Sequence, residues 1–523
     1  MNHPILRLAV LSALATLAMP SHGAESDACT ALLQWNAGDE RAVIQKAERV
    51  PAGPRRAPPG APPAPEVMLP AHCLVEGVID QRTGRNGKPY AIGFAIAMPG
   101  NWNGRFLFQG GGGLNGSLNP PLGTVAAGDQ PALARGFAVV STDSGHRGAV
   151  FDSSFFDDQE AALNFLYQAV AKTTVLGKRV VARYYGRAPE HAYFAGCSTG
   201  GREAMMMSQR YPDYFDGIIA GAPAMRTNYS NLATRWLTTS LNAAAPKDAQ
   251  GRAQTDKALS PSDRRLVVDG LLKACDARDG VADGMIFDVR GCRFDPAVLA
   301  CKGAKRDDCL STVQVEAIRK GFAGPKTRGG VAVYPGFPFD TGIAATGAGI
   351  PGLLVSGMSP VGPSPTGTTM DVDAEAAEAH DARSMAGDTN AWTNLSTFTA
   401  RNGKLMFFHG VSDPWFSALD TIQYYERLAH DNAPLVAQDW SRLYLVPGMG
   451  HCAGGERTLD RFDLLTPLVD WVENGRAPTP AVATGASQPG RSRPLCEWPK
   501  HAHYDGRGNP DDARSYSCAE SAP

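Results

Sequence analysis

The stretch that decides the fold is Gly196-Cys197-Ser198-Thr199-Gly200. It has the Gly-x-Ser-x-Gly pattern of a sharp turn between a strand and a helix, which lifts a serine hydroxyl above the edge of a sheet. The apolar run His191 to Ala195 predicts the strand before it, and Arg202 to Arg210 predicts the helix after it. Because glycine and serine are common in ordinary turns, the motif gains its weight from this context.

Two further polar residues follow apolar runs that predict strands. Asp413 follows Lys404 to Phe408, and His451 follows Arg442 to Val446. The chain order is therefore serine, acid, histidine, which is the order found in α/β-hydrolases. A serine hydroxyl needs an adjacent base to act as a nucleophile. We expect His451 to accept the Ser198 proton, and Asp413 to hold the imidazole in the right tautomer.

Other residues compete for two of these roles. His409 and His146 are alternative bases, but choosing His409 leaves Asp413 without a role, and a structural histidine is the simpler interpretation of His146. Asp420 is the alternative acid, although it lies further along the chain, where a helix is expected. Placement directly after a strand favours Asp413.

Strands and helices alternate through the first half of the chain. A helix with one apolar face is predicted over 159 to 184, between strands on either side. The predicted strands are Tyr90 to Met98, Arg105 to Gln109, Phe137 to Thr142 and Gly217 to Ala222. This alternation predicts an α/β fold whose mostly parallel sheet is covered by helices on both faces.

The alternation stops near residue 227 and resumes near 398. We therefore predict an α/β-hydrolase core in two parts, 25–226 and 398–523, with an inserted domain at 227–397. The ordered core is expected to begin after the Pro/Ala/Arg-rich stretch Pro51 to Pro65. The C-terminal tail, which holds Cys496 and Cys518, has few apolar side chains. We therefore expect a disulfide to hold it rather than packing into the core.

A glycine run supplies a candidate oxyanion hole. Gly110 to Gly113 follows the predicted strand Arg105 to Gln109, and glycine lets the backbone approach a substrate closely. We expect the N–H groups of Thr199 and Gly113, with Gly112 as the alternative, to face the developing negative charge. A phosphate-binding loop is excluded because no Gly-Lys-Ser/Thr follows, whereas a plain flexible loop stays open.

Length and charge narrow the function classes. The chain has 523 residues, 43% of them hydrophobic, and a formal net charge of −2. This predicts a multidomain globular protein without a basic field for nucleic acid. Arg7, the apolar run Leu8 to Met19 and the small residues before Ala24 predict a signal peptide over 1–24; a buried N-terminal helix is the alternative. The protein is then secreted or periplasmic, without membrane insertion.

Ten cysteines are an even count that predicts disulfides in an oxidising compartment. Connectivity is not fixed by sequence alone. Short loops favour four pairs and leave Cys197 and Cys452, beside the serine and the histidine, for each other. The four local pairs are Cys275–Cys292, Cys301–Cys309, Cys496–Cys518 and Cys29–Cys73.

A second polar cluster occupies the segment Cys275 to Met285. Asp276, Asp279 and Asp283 share this segment with two glycines that let the chain curl, so several hard oxygens can face one point, as calcium requires. The spacing is not that of an EF-hand, because no glutamate closes the loop at its twelfth position. A solvated acidic turn is the alternative.

With these segments together, the chain resembles the tannase and feruloyl esterase family of α/β-hydrolases over nearly the whole mature length. The Cys-Ser, Asp and His-Cys arrangement carries the resemblance, together with Gly110 to Ser117 and Cys275 to Gly284. The resemblance implies the triad Ser198, Asp413 and His451, the bridge Cys197–Cys452 and a lid domain. It also implies a structural Ca²⁺ and no organic cofactor. The implied calcium ligands are the side chains of Asp276, Asp279 and Asp283 and the carbonyls of Val281 and Met285.

The resemblance also implies the substrate class: esters of aromatic acids such as hydroxycinnamates or gallate, or a terephthalate monoester. Trp415 and Phe416 are candidate pocket walls for an aromatic ring, with core packing as the alternative. Arg383 is the only arginine between 334 and 392, which disfavours a second free carboxylate on the substrate. A non-catalytic binding protein and a peptidase are the competing functions. The oligomeric state is not indicated.

Overall fold

A computed structural model describes residues 28–36, 41–55, 67–345 and 365–521 of the chain. The predicted signal peptide, residues 1–24, lies outside the described residues. Strands are numbered in chain order. They are β1 (Ala42–Val50), β2 (Gly53–Pro54), β3 (Met68–Leu69), β4 (His72–Thr83), β5 (Pro89–Pro99), β6 (Arg105–Gln109), β7 (Ala138–Thr142), β8 (His191–Cys197), β9 (Gly217–Gly221), β10 (Lys404–Gly410), β11 (Ser441–Val446), β12 (Ala481–Thr484), β13 (Ser492–Leu495), β14 (His501–Tyr504) and β15 (Tyr516–Ala519).

The α-helices are numbered in the same way. They are α1 (Gln159–Leu163), α2 (Ala169–Tyr185), α3 (Thr199–Arg210), α4 (Thr227–Asn242), α5 (Pro261–Cys275), α6 (Thr312–Phe322), α7 (Val372–Ala379), α8 (Ala382–Gly387), α9 (Ser396–Ala400), α10 (Ala418–Asp431) and α11 (Leu465–Asn474). A π-helical turn, Asn164–Gln168, joins α1 to α2, so the helix predicted over 159 to 184 is present with one widened turn. Within the described residues, no helix has both the length and the apolar character needed to cross a bilayer.

The centre of the protein is a nine-stranded sheet with the order β1-β4-β5-β7-β6-β8-β9-β10-β11. From β7 onward each neighbouring pair is parallel, whereas β1, β4, β5 and β7 pair in antiparallel fashion. The predicted mostly parallel α/β sheet is therefore confirmed. The parallel strands bring their carboxyl ends to one edge, where the loops after β6, β8, β10 and β11 meet.

Both faces of the sheet are covered, which is why its strands are near-continuous apolar runs. On β6, Phe106 and Phe108 pack into the cluster on one face, while Leu107 between them packs into the cluster on the other. All three side chains are fully buried. This alternation follows from the two-residue period of a strand.

The ordered core begins earlier than predicted. Strand β1 precedes the Pro/Ala/Arg-rich stretch and forms an edge of the sheet, paired to β4. Most of its side chains are half-buried or exposed, and Ala47 is the buried exception. An edge strand has a free hydrogen-bonding side that charged side chains protect from further pairing, so β1 carries charges and lacks the apolar run expected of a central strand. The disulfide Cys29–Cys73 ties the preceding segment to β4.

The chain between β9 and β10 leaves the sheet and returns to it. Its described parts, 222–345 and 365–403, contribute α4 to α9 and add no strand to the sheet. A separate apolar cluster that includes Leu237, Ile318 and Phe322 packs α4 against α6. This agrees in position with the predicted insertion at 227–397, whose boundaries stay a prediction.

The tail packs more closely than predicted. Leu495 is buried in one of the two clusters that cover the sheet, and Trp498 packs against the other. Arg493 is fully buried and forms an ion pair with Asp283. Disulfide Cys496–Cys518 joins the two hairpins β12–β13 and β14–β15. The tail is therefore both held by a disulfide and packed, because a few apolar residues suffice when the strands that carry them lie against the core.

Candidate active site

Ser198 occupies the turn between β8 and α3 in a strained backbone conformation, with φ 64° and ψ −124°. Such a conformation is rare for a residue with a side chain and is held here by its surroundings. The Ser198 N–H donates to the Gly221 carbonyl at 3.0 Å. A Cβ atom on Gly196 would lie 2.4 Å from the Gly200 carbonyl oxygen, so the motif needs glycine there. The predicted elbow is present.

Asp413 and His451 lie on the loops after β10 and β11 and contact each other. The Nδ1 atom of His451 is 2.7 Å from Oδ2 of Asp413. The other carboxylate oxygen, Oδ1, accepts the N–H groups of Trp415 at 2.8 Å and Phe416 at 3.1 Å. These bonds fix the carboxylate, and with it the plane of the imidazole ring.

The Asp413 carboxyl is fully buried, and burial by itself raises a carboxyl pKa. Here the charge of His451 and the hydrogen bonds from His409 and His451 outweigh burial and hold the Asp413 pKa well below its ordinary value. The group is therefore a carboxylate at neutral pH. Since a carboxylate only accepts hydrogen bonds, Nδ1 of His451 donates to it, and in the neutral imidazole Nε2 is then the nitrogen that can accept a proton.

A disulfide joins the residues next to Ser198 and His451. Cys197 and Cys452 are bonded, with their Cα atoms 6.0 Å apart, across 255 residues of sequence. The Nε2 atom of His451 is buried, and within the described residues it has no hydrogen-bond partner, Ser198 Oγ included. Contacts between a nucleophile and its base commonly tighten only when substrate binds. The four other predicted disulfides are also formed.

The alternative bases and the alternative acid have other partners. His409 is fully buried; its Nε2 lies 3.0 Å from the Phe416 carbonyl oxygen and 3.3 Å from Asp413 Oδ2. Asp420 forms an ion pair with Arg226. His146 stacks on Phe155 at 3.8 Å, and burial lowers its pKa to about 4. His409 thus supports the carboxylate of Asp413, a role that the sequence did not reveal.

The glycine run lies against the start of α3, as expected for an oxyanion hole. The Gly200 N–H donates to the Gly111 carbonyl at 3.0 Å, and the Thr199 hydroxyl donates to the Gly113 carbonyl. In the parts of the chain that are described, the N–H groups of Gly112 and Gly113 donate to no protein acceptor. The Thr199 N–H opens α3, where first-turn N–H groups have no intrahelical acceptor.

Aromatic side chains surround the histidine. The ring centroid of Trp415 lies 4.8 Å from that of His451, and the Phe416 centroid lies 5.4 Å from it. Phe151 contacts Trp415 edge to face, with 6.1 Å between centroids. No sequence motif marks the loop that carries Phe151. Phe416 is buried and Trp415 is half-buried, so Trp415 and Phe151 offer the more accessible apolar surface.

The segment inserted between β9 and β10 is joined to the acid and histidine loops by a buried carboxyl group. Asp340 accepts the Ser412 hydroxyl and the Gly448 N–H, both at 2.7 Å. Ser412 directly precedes Asp413, and Gly448 lies on the loop that carries His451. Burial raises the pKa of Asp340. The insertion thus contacts both loops at once.

The acidic segment Cys275 to Met285 is closed by the disulfide Cys275–Cys292. Asp276 accepts the N–H of Gly284 at 3.0 Å, and Asp279 accepts the N–H of Phe287 at 2.9 Å. Burial, together with the charges of Asp283 and Asp276, raises the Asp279 pKa to about 7. The backbone N–H groups that donate to Asp279 act in the opposite direction. Asp283 pairs with the tail arginine noted above. Among the described residues, no three His, Cys, Asp or Glu side chains converge as a metal site.

Burial and mutual repulsion of these carboxylates favour a cation at this loop, while the ion pair of Asp283 competes for one of the three side chains. The donor chemistry, oxygen only, fits calcium. Asp276, Asp279 and Asp283, with the carbonyls of Val281 and Met285, are the residues that would hold it.

Comparisons with known proteins agree with this geometry. The family described as tannase and feruloyl esterase matches residues 73–359 and 366–519. The mono(2-hydroxyethyl) terephthalate hydrolase of Piscinibacter sakaiensis is 40% identical, covering 87% of this chain and 86% of that one. Feruloyl esterase B of Aspergillus niger is 29% identical, covering 80% and 82%. The crystal structure of feruloyl esterase B from Aspergillus oryzae superimposes with a TM-score of 0.75 at 25% identity, covering 95% and 100%. The chain therefore belongs to the tannase and feruloyl esterase family and is a carboxylic ester hydrolase.

Proposed function

We propose that the protein hydrolyses esters of aromatic acids, with Ser198 as nucleophile, His451 as general base and acid, and Asp413 as the residue that orients His451. The observation that carries this proposal is the 2.7 Å contact of His451 with Asp413, on a loop that the disulfide Cys197–Cys452 joins to the strained turn of Ser198.

The reaction proceeds in two steps. Ser198 Oγ attacks the ester carbonyl carbon while His451 Nε2 takes the hydroxyl proton. The C–O bond to the alcohol then breaks, and the alcohol leaves with the proton from Nε2. A water molecule, deprotonated by the same nitrogen, attacks the acyl carbon; the bond to Ser198 Oγ then breaks, Oγ takes the proton back from Nε2, and the acid is released. Asp413 stays ionised throughout and stabilises the imidazolium.

The N–H groups of Thr199 and Gly113 are the proposed oxyanion hole. They are backbone donors at the start of a helix and on a glycine loop that touches it, and such donors need no reorganisation when charge develops on the carbonyl oxygen. The availability of the Gly113 N–H supports this assignment. Gly112 has an equally available N–H and is the alternative second donor.

Aromatic selectivity rests on Trp415 and Phe151, which line the histidine side of the site. We expect kcat/KM to be higher for methyl ferulate and methyl gallate than for ethyl butyrate, because an aromatic ring stacks on these side chains. Initial rates on this ester set test the proposal. Amide analogues of the same acids serve as the control for peptidase activity. A preference for the aliphatic ester would contradict the aromatic assignment.

A terephthalate monoester is the second candidate substrate. It is favoured by the 40% identity to a mono(2-hydroxyethyl) terephthalate hydrolase over 87% of the chain. Such a substrate carries a free carboxylate, and Arg383, the one arginine between 334 and 392, already pairs with Asp381 and is 60% exposed. Adding mono(2-hydroxyethyl) terephthalate and the uncharged dimethyl terephthalate to the ester set decides between the two candidate substrates. Faster turnover of the monoester would favour the second candidate.

We also propose that Ca²⁺ binds the loop of Asp276, Asp279 and Asp283 in a structural role. Titration of chelator-treated protein with Ca²⁺ is expected to show saturable binding of about one ion, the stoichiometry of one such loop. The free energy of unfolding is expected to rise by about 2.7 kcal/mol when the free Ca²⁺ concentration is a hundred times Kd. Calorimetry and thermal unfolding measure the two effects.

The Asp279→Asn variant should lose both effects, because it removes the charge of a nearly fully buried ligand. Asp307→Asn, which changes an exposed carboxylate in the same insertion, is the matched control and should keep both. Unchanged unfolding temperature and no heat of binding in the unsubstituted protein would refute the calcium site.

Export to an oxidising compartment is the proposed localisation. Five disulfides support it, because such bonds persist in secreted and periplasmic proteins and are rare in the cytosol. Mass determination of the mature N-terminus, recovered from periplasm and from medium, tests the proposal. An N-terminus at Met1 would contradict cleavage near Ala24.

A further inference from the structure

The peptide groups of the glycine run are each fixed through their carbonyl oxygens. The Gly111 carbonyl accepts the Gly200 N–H, and the Gly112 carbonyl accepts the Asn115 N–H, both at 3.0 Å. In a planar trans peptide, the C=O of one residue and the N–H of the next point in opposite directions. The two bonds therefore set the directions of the N–H groups of Gly112 and Gly113, which are the candidate oxyanion donors.

One buried side chain contacts this arrangement at two points. Glu203 lies on α3, five residues after Ser198, and its side chain is 1% exposed. Its Oε2 accepts the Gly111 N–H at 2.8 Å, and its Oε1 accepts the side-chain amide of Asn115 at 2.9 Å. The first bond holds the start of the run. The second holds Asn115, whose own N–H orients the Gly112 carbonyl.

The packing around Gly111 leaves no room for a side chain. A Cβ atom on Gly111 would lie 2.2 Å from Asn115 Nδ2. Asn115 has a positive φ of 52°, a conformation that asparagine tolerates better than most residues. Its amide also contacts the Ser144 hydroxyl. Glu203, Asn115 and the glycine run thus form one connected set of hydrogen bonds behind the site.

The charge of the carboxylate matters for these bonds. Both oxygens of Glu203 face N–H donors, so both must be acceptors, which an ionised carboxylate provides. Burial raises its pKa, while neighbouring Arg202 and the bonds from Gly111 and Asn115 oppose that rise. A glutamine at this position has one acceptor oxygen and one NH₂ group. Its NH₂ would face either the Gly111 N–H, donor against donor, or the Asn115 amide, which can accept it only by turning over and giving up its N–H contact with Ser144.

We propose that Glu203 is a positioning residue for ester hydrolysis, acting through Gly111 and Asn115 to aim the N–H groups of the glycine run at the oxyanion. The inference rests on the proposed function of Ser198 and the oxyanion hole. Glu203 itself touches no reacting atom. Its role is to hold the N–H donors in place in advance, so that they need no reorganisation when negative charge develops on the carbonyl oxygen.

The Glu203→Gln variant tests the proposal. Because loss of one oxyanion donor lowers kcat by about 10²–10³, a misdirected donor is expected to lower kcat about 10–100-fold with KM nearly unchanged. Phenylboronic acid, which forms a tetrahedral adduct with an activated serine, should bind more weakly by the same factor. Ferulate, a product that carries no tetrahedral centre, should inhibit the variant and the unsubstituted protein equally.

Two further variants complete the experiment. Glu190→Gln changes an exposed carboxylate just before β8 and is the matched control, with unchanged kinetics expected. Asn115→Gly removes the amide but keeps a residue that accepts positive φ, and it should shift kcat and boronate affinity together, by a smaller factor. It carries the test if Glu203→Gln does not fold.

The outcomes separate this inference from the proposed function. If the unsubstituted protein neither hydrolyses esters nor binds phenylboronic acid, the proposed function is wrong. If it does both, and Glu203→Gln loses thermal stability or kcat while its boronate affinity stays unchanged, then Glu203 is structural and the positioning role is refuted. Parallel loss of kcat/KM and boronate affinity supports the role.

Discussion

Replacing Ser198 with alanine is expected to lower kcat for an aromatic ester by about 10⁶-fold, the loss measured when the nucleophile of another serine hydrolase is removed. Without Oγ no acyl-enzyme forms, and only the oxyanion hole and substrate binding remain to accelerate attack by water. The residual rate enhancement of the variant is about 10³–10⁴ over the uncatalysed reaction. Turnover of methyl ferulate, followed to long times, measures it.

The fold is expected to survive this change. Ser198 is 8% exposed, and its backbone already has a φ of 64°. Alanine meets the same backbone strain, so the Ser198→Ala variant should unfold at nearly the same temperature. Ser208→Ala is the matched control, because its hydroxyl lies on the same helix and, among the described residues, bonds only to the Met205 carbonyl. Retained turnover, or labelling of the variant by a serine-directed phosphonate, would show that the nucleophile lies elsewhere.

The sheet and the positions of the candidate triad were predictable because both depend on local sequence. Central strands such as β6 and β8 are buried on both faces, so they are apolar throughout and stand out from the helices between them. In a parallel sheet the residues that follow such strands meet at one edge. The contact of Asp413 with His451, 38 residues apart, follows from that topology and from short loops.

The support behind the site was not predictable, because buried polar networks leave no periodic signal in one sequence. In the sequence, Glu203 looks like an ordinary helical glutamate, and His409 looks like a competing base. Their roles depend on partners distant in sequence, such as Gly111, 92 residues from Glu203. Strand β1 lacks a sequence signal for a different reason, since an edge strand is partly exposed and keeps its charges.

The second large effect is expected for Asp413→Asn, which should lower kcat by about 10⁴-fold, as the equivalent change does in another serine triad. The structure determines how the new amide would lie. Oδ1 of Asp413 accepts two backbone N–H groups, from Trp415 and Phe416, and only the amide oxygen can replace it there. The amide nitrogen must then take the position of Oδ2, facing His451 Nδ1 and His409 Nε2.

In that position the NH₂ group donates to His451, so Nδ1 must accept and the imidazole proton moves to Nε2. A histidine protonated at Nε2 cannot take the Ser198 proton, which is why kcat falls while KM for a neutral ester should change little. Steady-state kinetics on methyl ferulate measure both. Asp439→Asn, an exposed carboxylate before β11, is the control. Because flipping the amide would break two backbone hydrogen bonds and place its oxygen beside His451, the wrong tautomer is the stable one. A kcat within tenfold of the unsubstituted value would mean that His451 needs no carboxylate to orient it, and the acid assignment would be wrong.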